Sequence, residues 1–386
     1  MLTYDKTTYV ISIWVVFAYN KQRNDKGDKK MDLEIVTQFQ NKLLEWYDNS
    51  ARVLPWRDNP SPYRVWISEI MLQQTRVHTV KPYFENFMKE VPTIEALANI
   101  SEDKLLKLWE GMGYYSRARN LKKAAALILQ EFDGIMPSTI EGLKSLPGIG
   151  PYTSGAIASI AFGVRVSAID GNVLRGIARI TANQGDITNG LVKKEIEGWV
   201  NAILPKARVG DFNQGLMELG ATICLPNGMP KCTECPVAFL CQGYHKGIAL
   251  SIPFKAKKKP RKIEEKTIFV IEYKDSFALR QRPNVGLLSN LWEFPHIEGS
   301  LSYEECDEEM QKWNMKAERI IPLNKCKHIF THLEWYMMGY YVLIHSLPKD
   351  SGFIWATKKE IQQRYSIPSA FKEYLNYLLG GEDTVI

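Results

Sequence analysis

At 386 residues the chain is long enough for two or three domains and a large buried core. Its 45% hydrophobic and 24% charged content is that of an ordinary soluble globular protein. The net charge of +6 and pI near 8.8 permit a polyanionic partner without demanding one. Six cysteines in so long a chain, four of them crowded together, read as ligands rather than as a disulfide framework.

The N-terminal apolar stretch, Tyr9 to Tyr19, is too short to span a bilayer core that needs ~20 residues. No basic region precedes it and no small-residue cleavage site follows, so it does not read as a signal peptide. Residues 1–30 are expected to be a disordered or non-functional extension, with Met31 the effective start. No association with a membrane is expected.

From Met31 to Cys241 the pattern is helical. Leu33 to Tyr47 is amphipathic, and Leu54-Pro55-Trp56-Arg57 breaks it. Ser61-Pro62 supplies a cap and a first-turn proline for a helix expected to run toward Thr79 and stop before Pro82. This helix carries Glu69, with Val65, Leu72 and Gln73 one turn away. A carboxyl on a partly apolar face has a raised pKa and suits a general acid near neutral pH, although most glutamates at helix edges are plain surface residues. Further helices are expected over Ile94 to Ala98, Glu102 to Trp109, Arg117 to Phe132, Val192 to Ile203 and Phe212 to Ile223.

Ser138-Thr139-Ile140-Glu141 has capping-box spacing and leads into Leu146-Pro147-Gly148-Ile149-Gly150-Pro151-Tyr152-Thr153. The two glycines allow a tight turn, and Pro151 suits the first position of a helix that Gly163 ends. Free N–H groups at such a turn offer an anion site, which on DNA is a phosphate, though an ordinary helix connection has the same look. Downstream, Asp170 precedes Gly171-Asn172-Val173 and reads as an N-cap, a role compatible with chemistry because it orients the carboxylate.

Cys224-x7-Cys232-x2-Cys235-x5-Cys241 places four thiols within eighteen residues, so one short loop can close them around a metal centre. Structural zinc sites with four cysteines usually have two close pairs, and only one is present. The spacing therefore favours a 4Fe-4S cluster, with zinc the competitor. Lys255 to Lys262 is a charge run with a proline, the signature of a linker. Beyond it Thr267 to Tyr273, Phe277 to Arg280 and Trp335 to Ile344 are strand-like. The expected organisation is an all-α domain over 31–244 with its cysteine loop at 224–241, a basic linker over 245–262, and an α+β domain over 263–386.

These residues together carry a resemblance. The helix with Glu69, the Leu146 to Gly150 hairpin, Ala168 to Val173 and the closing cysteine cluster are similar to the helix-hairpin-helix DNA glycosylases, and most of all to the A/G-specific adenine DNA glycosylases, the MutY family. Leu72-Gln73-Gln74-Thr75, Gly111-Met112-Gly113-Tyr114-Tyr115-Ser116-Arg117 and Phe212-Asn213-Gln214 add to it. The resemblance covers nearly everything from Leu54 to Cys241 and extends more weakly into the C-terminal domain, which would be Nudix-like.

The resemblance implies excision of adenine mispaired with 8-oxoguanine, or with guanine, in double-stranded DNA. Glu69 would protonate the extruded adenine and later activate water. Asp170 would stabilise the cationic sugar, by charge or by a transient covalent bond, with Tyr152 and Asn172 supporting the two carboxylates. Trp56, Arg57 and Gln214 would line the adenine pocket. Gln74, Thr75, Met112, Gly113 and Tyr114 would hold the opened duplex, and Gly148 and Gly150 would meet its backbone. A base must leave the stack before its glycosidic bond is reachable, and an aromatic wedge such as Tyr114 can take its place. The family reads the oxidised guanine through a Phe-Ser-His loop, for which this chain has Phe330-Thr331-His332. It also has seven residues between the first two cysteines where the family more often has six. Endonuclease III-type lyases carry a lysine just after the hairpin, where this chain has Tyr152, so no amine stands there to form an imine. No Arg-Glu-x-x-x-Glu-Glu series follows Gly286, which argues against nucleoside diphosphate hydrolysis. A monomer is expected, cytoplasmic and nucleoid-associated in a bacterium.

Overall fold

The computed structural model describes residues 33–256, 260–348 and 352–380. The extension expected over residues 1–30 lies outside the described residues. By contact the chain divides into two compact units. One holds the described residues up to Met88 with Thr93–Glu95 and 123–256; the other holds Lys89–Pro92, Ala96–Lys122 and the described residues from 260 onward.

Helices α1 (Leu33–Ser50), α2 (Pro62–Leu72) and α3 (Val77–Glu90) come first. Helix α1 buries Val36, Phe39, Leu43 and Tyr47, one stripe at helical spacing. Ser61 caps α2 and Pro62 occupies its first turn, as the sequence predicts. The expected run to Thr79 is instead broken after Leu72, where Gln74 takes a left-handed backbone with φ 57°. Pro82 then lies inside α3 rather than beyond it. The buried stripe Val80, Phe84 and Phe87 holds α3 through the proline, whose own side faces solvent, where water can satisfy the carbonyl it leaves unpaired.

Helices α4 (Ile94–Asn99), α5 (Glu102–Leu108) and α6 (Ser116–Glu131) follow, then α7 (Ile140–Ser145), α8 (Pro151–Phe162), α9 (Gly171–Ile180), α10 (Gly190–Ile203) and α11 (Val209–Thr222). The cap of α7 is Thr139, one residue later than the capping-box spacing predicts; its hydroxyl accepts from the Gly142 N–H. Phe39, Leu43, Val173, Ile177, Val200, Phe212 and Leu219 pack into one core. Part of the expected linker belongs here too. Ile252 is buried in that core, and Phe254 pairs with Asp186 in an isolated bridge.

The second unit is built on a mixed sheet of β1 (Lys262–Tyr273), β2 (Ser276–Gln281), β3 (Trp292–Glu293), β4 (His296–Glu298), β5 (Ala317–Ile329), β6 (Leu333–Ile344) and β7 (Ile354–Thr357). The order is β3-β2-β1-β6-β5, with β4 on β1 and β7 on β2. Strands β1 and β6 run parallel, while the other pairs are antiparallel. Alternation along β1 feeds both faces. Ile268 and Val270 pack with Phe371, Tyr374 and Leu378, the last two on α14 (Lys372–Leu379), leaving α12 and α13 for Tyr303–Lys312 and Lys358–Arg364. Phe269 and Ile271 pack with Cys306 and Met310 of α12 on the other face.

Ala96–Lys122 is fastened to this sheet by specific bonds. The Ile367 N–H donates to Glu110 Oε1 at 2.8 Å, and Lys107 Nζ donates to the carbonyls of Ile361 and Tyr365 at 3.3 and 3.1 Å. Arg119 Nη1 donates to Ser289 Oγ at 3.1 Å. The segment bearing Tyr114 is therefore bonded to the C-terminal sheet.

Candidate functional site

The hairpin expected from Leu146 to Gly150 forms, and its two glycines differ. Gly148 takes φ 82°, which only glycine adopts without strain, while Gly150 is extended at φ −93° and caps α8. Pro151 starts α8 and sets the next residue, Tyr152, toward α2. There the Tyr152 hydroxyl donates to Glu69 Oε2 at 2.5 Å, with Met217 Sδ of α11 at 3.7 Å. Gln73 Nε2 donates to Thr153 Oγ1 at 3.2 Å and ties the end of α2 to α8.

Glu69 is buried, 6% exposed. Loss of hydration pushes its carboxyl up to about 7. The Tyr152 hydrogen bond opposes this by favouring the anion, the charge of Asp170 adds to it, and Arg57 opposes it. Glu69 is thus poised to hold a proton near neutral pH.

Asp170 is the N-cap of α9, as expected. Its Oδ1 accepts from the N–H groups of Asn172 and Val173 at 2.9 and 2.8 Å, and its Oδ2 accepts from Asn172 Nδ2 at 2.7 Å. Burial raises its pKa, against the pull of these bonds. Three donors aimed at one carboxyl are the environment of an anion. Asn172 is brought close by Gly220 of α11, where a Cβ would stand 2.5 Å from Asn172 Cβ.

Arg57 Nε donates to Gln214 Oε1 at 3.1 Å, so two of the expected pocket residues meet. Trp56 is 6% exposed and packs edge-on against Phe84, with ring centres 5.4 Å apart. Gln74 is exposed in the α2–α3 break, and the Thr75 hydroxyl donates to the Gln73 carbonyl at 3.4 Å. In the second unit Gly111, Gly113 and Tyr114 all have positive φ. Trp109 Nε1 and Arg117 Nη2 both donate to the Gly113 carbonyl at 3.1 Å, and Arg117 Nη2 also donates to the carbonyl of buried Met112. This scaffold presents Tyr114 at 46% exposure.

Phe330, Thr331 and His332 form the tip of the β5–β6 hairpin, closed by the Phe330 N–H donating to the Leu333 carbonyl at 2.9 Å. Phe330 packs on Trp335, while Thr331 and His332 are exposed. The Thr331 and Tyr114 hydroxyls lie 3.1 Å apart.

Cys224, Cys232, Cys235 and Cys241 line a single pocket with Arg179, Ile223 and Pro230. Among the described residues no three His, Cys, Asp or Glu side chains close on a point that one metal ion could fill.

Sequence reasoning missed several buried charges that hold this architecture. Arg175 Nη2 donates to Asn172 Oδ1 and to the Gly220 carbonyl at 3.0 and 2.7 Å, and its Nε donates to the Cys224 carbonyl at 2.8 Å. Arg179, 3% exposed, reaches Cys224 Sγ at 3.3 Å. Glu218 receives Arg52 and Arg57. The i, i+4 spacing of Arg175 and Arg179 amid Ile177, Ala178 and Ile180 was the available signal.

Comparison with known proteins agrees with this geometry. Residues 67–202 match the model of the HhH-GPD superfamily base excision DNA repair protein, and residues 267–377 match that of the NUDIX domain. The adenine DNA glycosylase of Mus musculus is 35% identical over 85% of this chain and 76% of its own length. That of Buchnera aphidicola subsp. Baizongia pistaciae is 37% identical over 80% of this chain and 87% of its own. A solved thermostable thymine-DNA glycosylase, 28% identical, superposes with a TM-score of 0.50 over 55% of this chain and 98% of its own.

Proposed function

The chain belongs to the adenine DNA glycosylases, and from that premise we propose that it excises adenine opposite 8-oxoguanine, or guanine, in duplex DNA without cutting the strand. The observation that carries the chemistry is the pair of unlike carboxyls: Glu69 buried and raised to about 7, and Asp170 accepting three hydrogen bonds that favour its anion against the upward push of burial. Glu69 delivers its proton to a ring nitrogen of the extruded adenine, which makes the base a neutral leaving group. Asp170 faces the cationic character that grows on the sugar as the bond breaks. The Glu69 carboxylate, now ionised and still bonded to Tyr152, takes a proton from the attacking water. Because the residue after the hairpin is a phenol and not an amine, the product is an intact abasic site.

Arg57 and Gln214 face the adenine in this reading, and Tyr114 fills the gap it leaves. Thr331 reads the oxidised guanine, supported by its exposure at a hairpin tip beside the Tyr114 hydroxyl. Cys224, Cys232, Cys235 and Cys241 would hold a 4Fe-4S cluster, a reading supported by their spacing and by their lining one pocket. Such a cluster supplies a four-point tether for the loop after α11. Action on chromosomal DNA supports a cytoplasmic location, at the nucleoid if the host is bacterial, and one chain carrying every residue named supports a monomer.

The deciding experiment is single-turnover cleavage of labelled duplexes with adenine opposite each of several bases. Excision fastest opposite 8-oxoguanine is expected. Adenine left in place in every duplex rejects the reading.

A further inference from the structure

Two glutamates of the first unit are buried, Glu69 and, at 1% exposure, Glu218. The reaction above uses only the first. Glu218 sits on α11 one turn after Gln214, so the two side chains share a face. Its Oε1 accepts from Arg52 Nε at 2.5 Å and from the Arg52 N–H at 3.2 Å. Its Oε2 accepts from Arg52 Nη2 and from Arg57 Nη2, both at 3.0 Å. Burial raises the Glu218 pKa, but the Arg52 hydrogen bond and both guanidinium charges outweigh it and leave the pKa lowered, so Glu218 is an anion at neutral pH.

Arg57 is consequently held at every nitrogen. Nη2 is on Glu218, Nη1 donates to the Arg52 carbonyl at 2.9 Å, and Nε is on Gln214. Its guanidinium also lies over the Tyr47 ring, 5.4 Å from the centroid. All three are donated by a cation, but only the bond to Glu218 meets an opposite charge, so it is the one that balances the charge of Arg57. Removing it leaves a half-buried cation with two neutral partners. Arg57 in turn commits the oxygen of Gln214, so the amide has one fixed orientation and offers its NH2 end outward.

We propose that Glu218 is a positioning residue for base excision: it fixes Arg57, and through it Gln214, beside Glu69 without touching the base. The inference rests on the reading that Arg57 and Gln214 face the extruded adenine.

The test is a double-mutant cycle with Glu218→Gln, Arg57→Met and the pair, read as single-turnover rate and as affinity for a duplex carrying adenine opposite 8-oxoguanine. Glu218→Gln keeps the shape and removes the charge. It is expected to slow excision by about 10- to 100-fold, the scale of a misplaced site group, with affinity within about twofold of the parent. In the Arg57→Met background, where Arg52 still pairs Glu218, the same change should add less than about threefold, because coupled residues are not additive. Glu218→Asp, which keeps the charge, should recover most of the rate; Glu218→Met, uncharged and of similar length, takes the place of Glu218→Gln in the cycle if that variant does not fold. A parental rate in Glu218→Gln, or losses that multiply in the double variant, overturns the role of Glu218 while leaving the pocket reading intact. A parental rate in Arg57→Met overturns the pocket reading itself, and the proposal with it.

Discussion

The Tyr152 hydroxyl donates to Glu69 Oε2 at 2.5 Å, joining the second residue of α8 to the middle of α2 across 83 positions. That bond is stronger to the carboxylate than to the acid, so it lowers the pKa that burial raises. Excision needs Glu69 protonated, hence the single-turnover rate should be flat below pH 7 and fall about tenfold per unit above it. Tyr152→Phe removes the donor that favours the anion. The Glu69 pKa then rises, and the falling limb should move to higher pH. A limb that stays in place or moves to lower pH contradicts this coupling.

The acid itself is tested by Glu69→Gln, which keeps size and polarity but has no proton to give. Excision should drop by at least ~10²–10⁴, while duplex binding, which rests on phosphate contacts, should persist. Asp170→Asn should be as severe, since it removes the charge facing the sugar yet retains a cap for α9. Near-parental single-turnover rates in Glu69→Gln would end the assignment.

Much of this site was legible because its local signals and its tertiary role coincide. Ser61-Pro62, Gly150-Pro151 and Asp170 start helices by capping rules, and those same helices carry Glu69, Tyr152 and Asn172. Other features have no local signal. Nothing glycine- or proline-like marks the break at Gln74, and Pro82 is tolerated only because Val80, Phe84 and Phe87 anchor α3. Strand β5 carries Pro322 and many exposed polar positions, so its pairing with β6 decides it rather than its composition. The attachment of Ala96–Lys122 to the C-terminal sheet depends on Glu110 and Lys107 meeting backbone atoms some 250 positions away, which no local pattern records.

The cysteine pocket predicts a coloured protein. Purified material should be yellow-brown with about four irons per chain. Cys232→Ser should cost solubility and DNA binding before chemistry, because the thiols border α9 and α11 rather than the Glu69 carboxyl. Metal analysis giving one zinc and no iron would refute the cluster.

Tyr152 at the position after the hairpin predicts a monofunctional enzyme. Strand breaks should appear only after alkali or heat treatment of the product, and borohydride should trap little covalent adduct. Efficient, stoichiometric trapping would mean that a lysine elsewhere acts as nucleophile.

Thr331 is the sharpest test of lesion reading, and the structure alters how it is best done. Removing the whole C-terminal sheet also removes the partners of Glu110, Lys107 and Arg119, which hold the segment bearing Tyr114. A chain ending just after Phe254, which leaves Ile252 in the helical core, keeps Glu69, Tyr152, Asp170 and the four cysteines, so it should still excise adenine. Its preference for 8-oxoguanine over guanine should fall, from the lost loop and from a loosened wedge together. Substitutions separate the two causes. 8-Oxoguanine differs from guanine at N7, now a donor, and at the C8 oxygen, and the Thr331 hydroxyl can meet either. Thr331→Val keeps the shape and removes only the hydroxyl, a change worth ~0.5–1.5 kcal/mol, so discrimination should fall several-fold while excision opposite guanine holds. Tyr114→Phe removes the other hydroxyl of the 3.1 Å pair and frees Thr331 from it, so discrimination should hold or rise. The measurement is the ratio of single-turnover rates on the two duplexes for each protein. If Thr331→Val and the truncated chain both keep the parental ratio, the oxidised base is read outside the C-terminal sheet, and Thr331 serves only to anchor Tyr114.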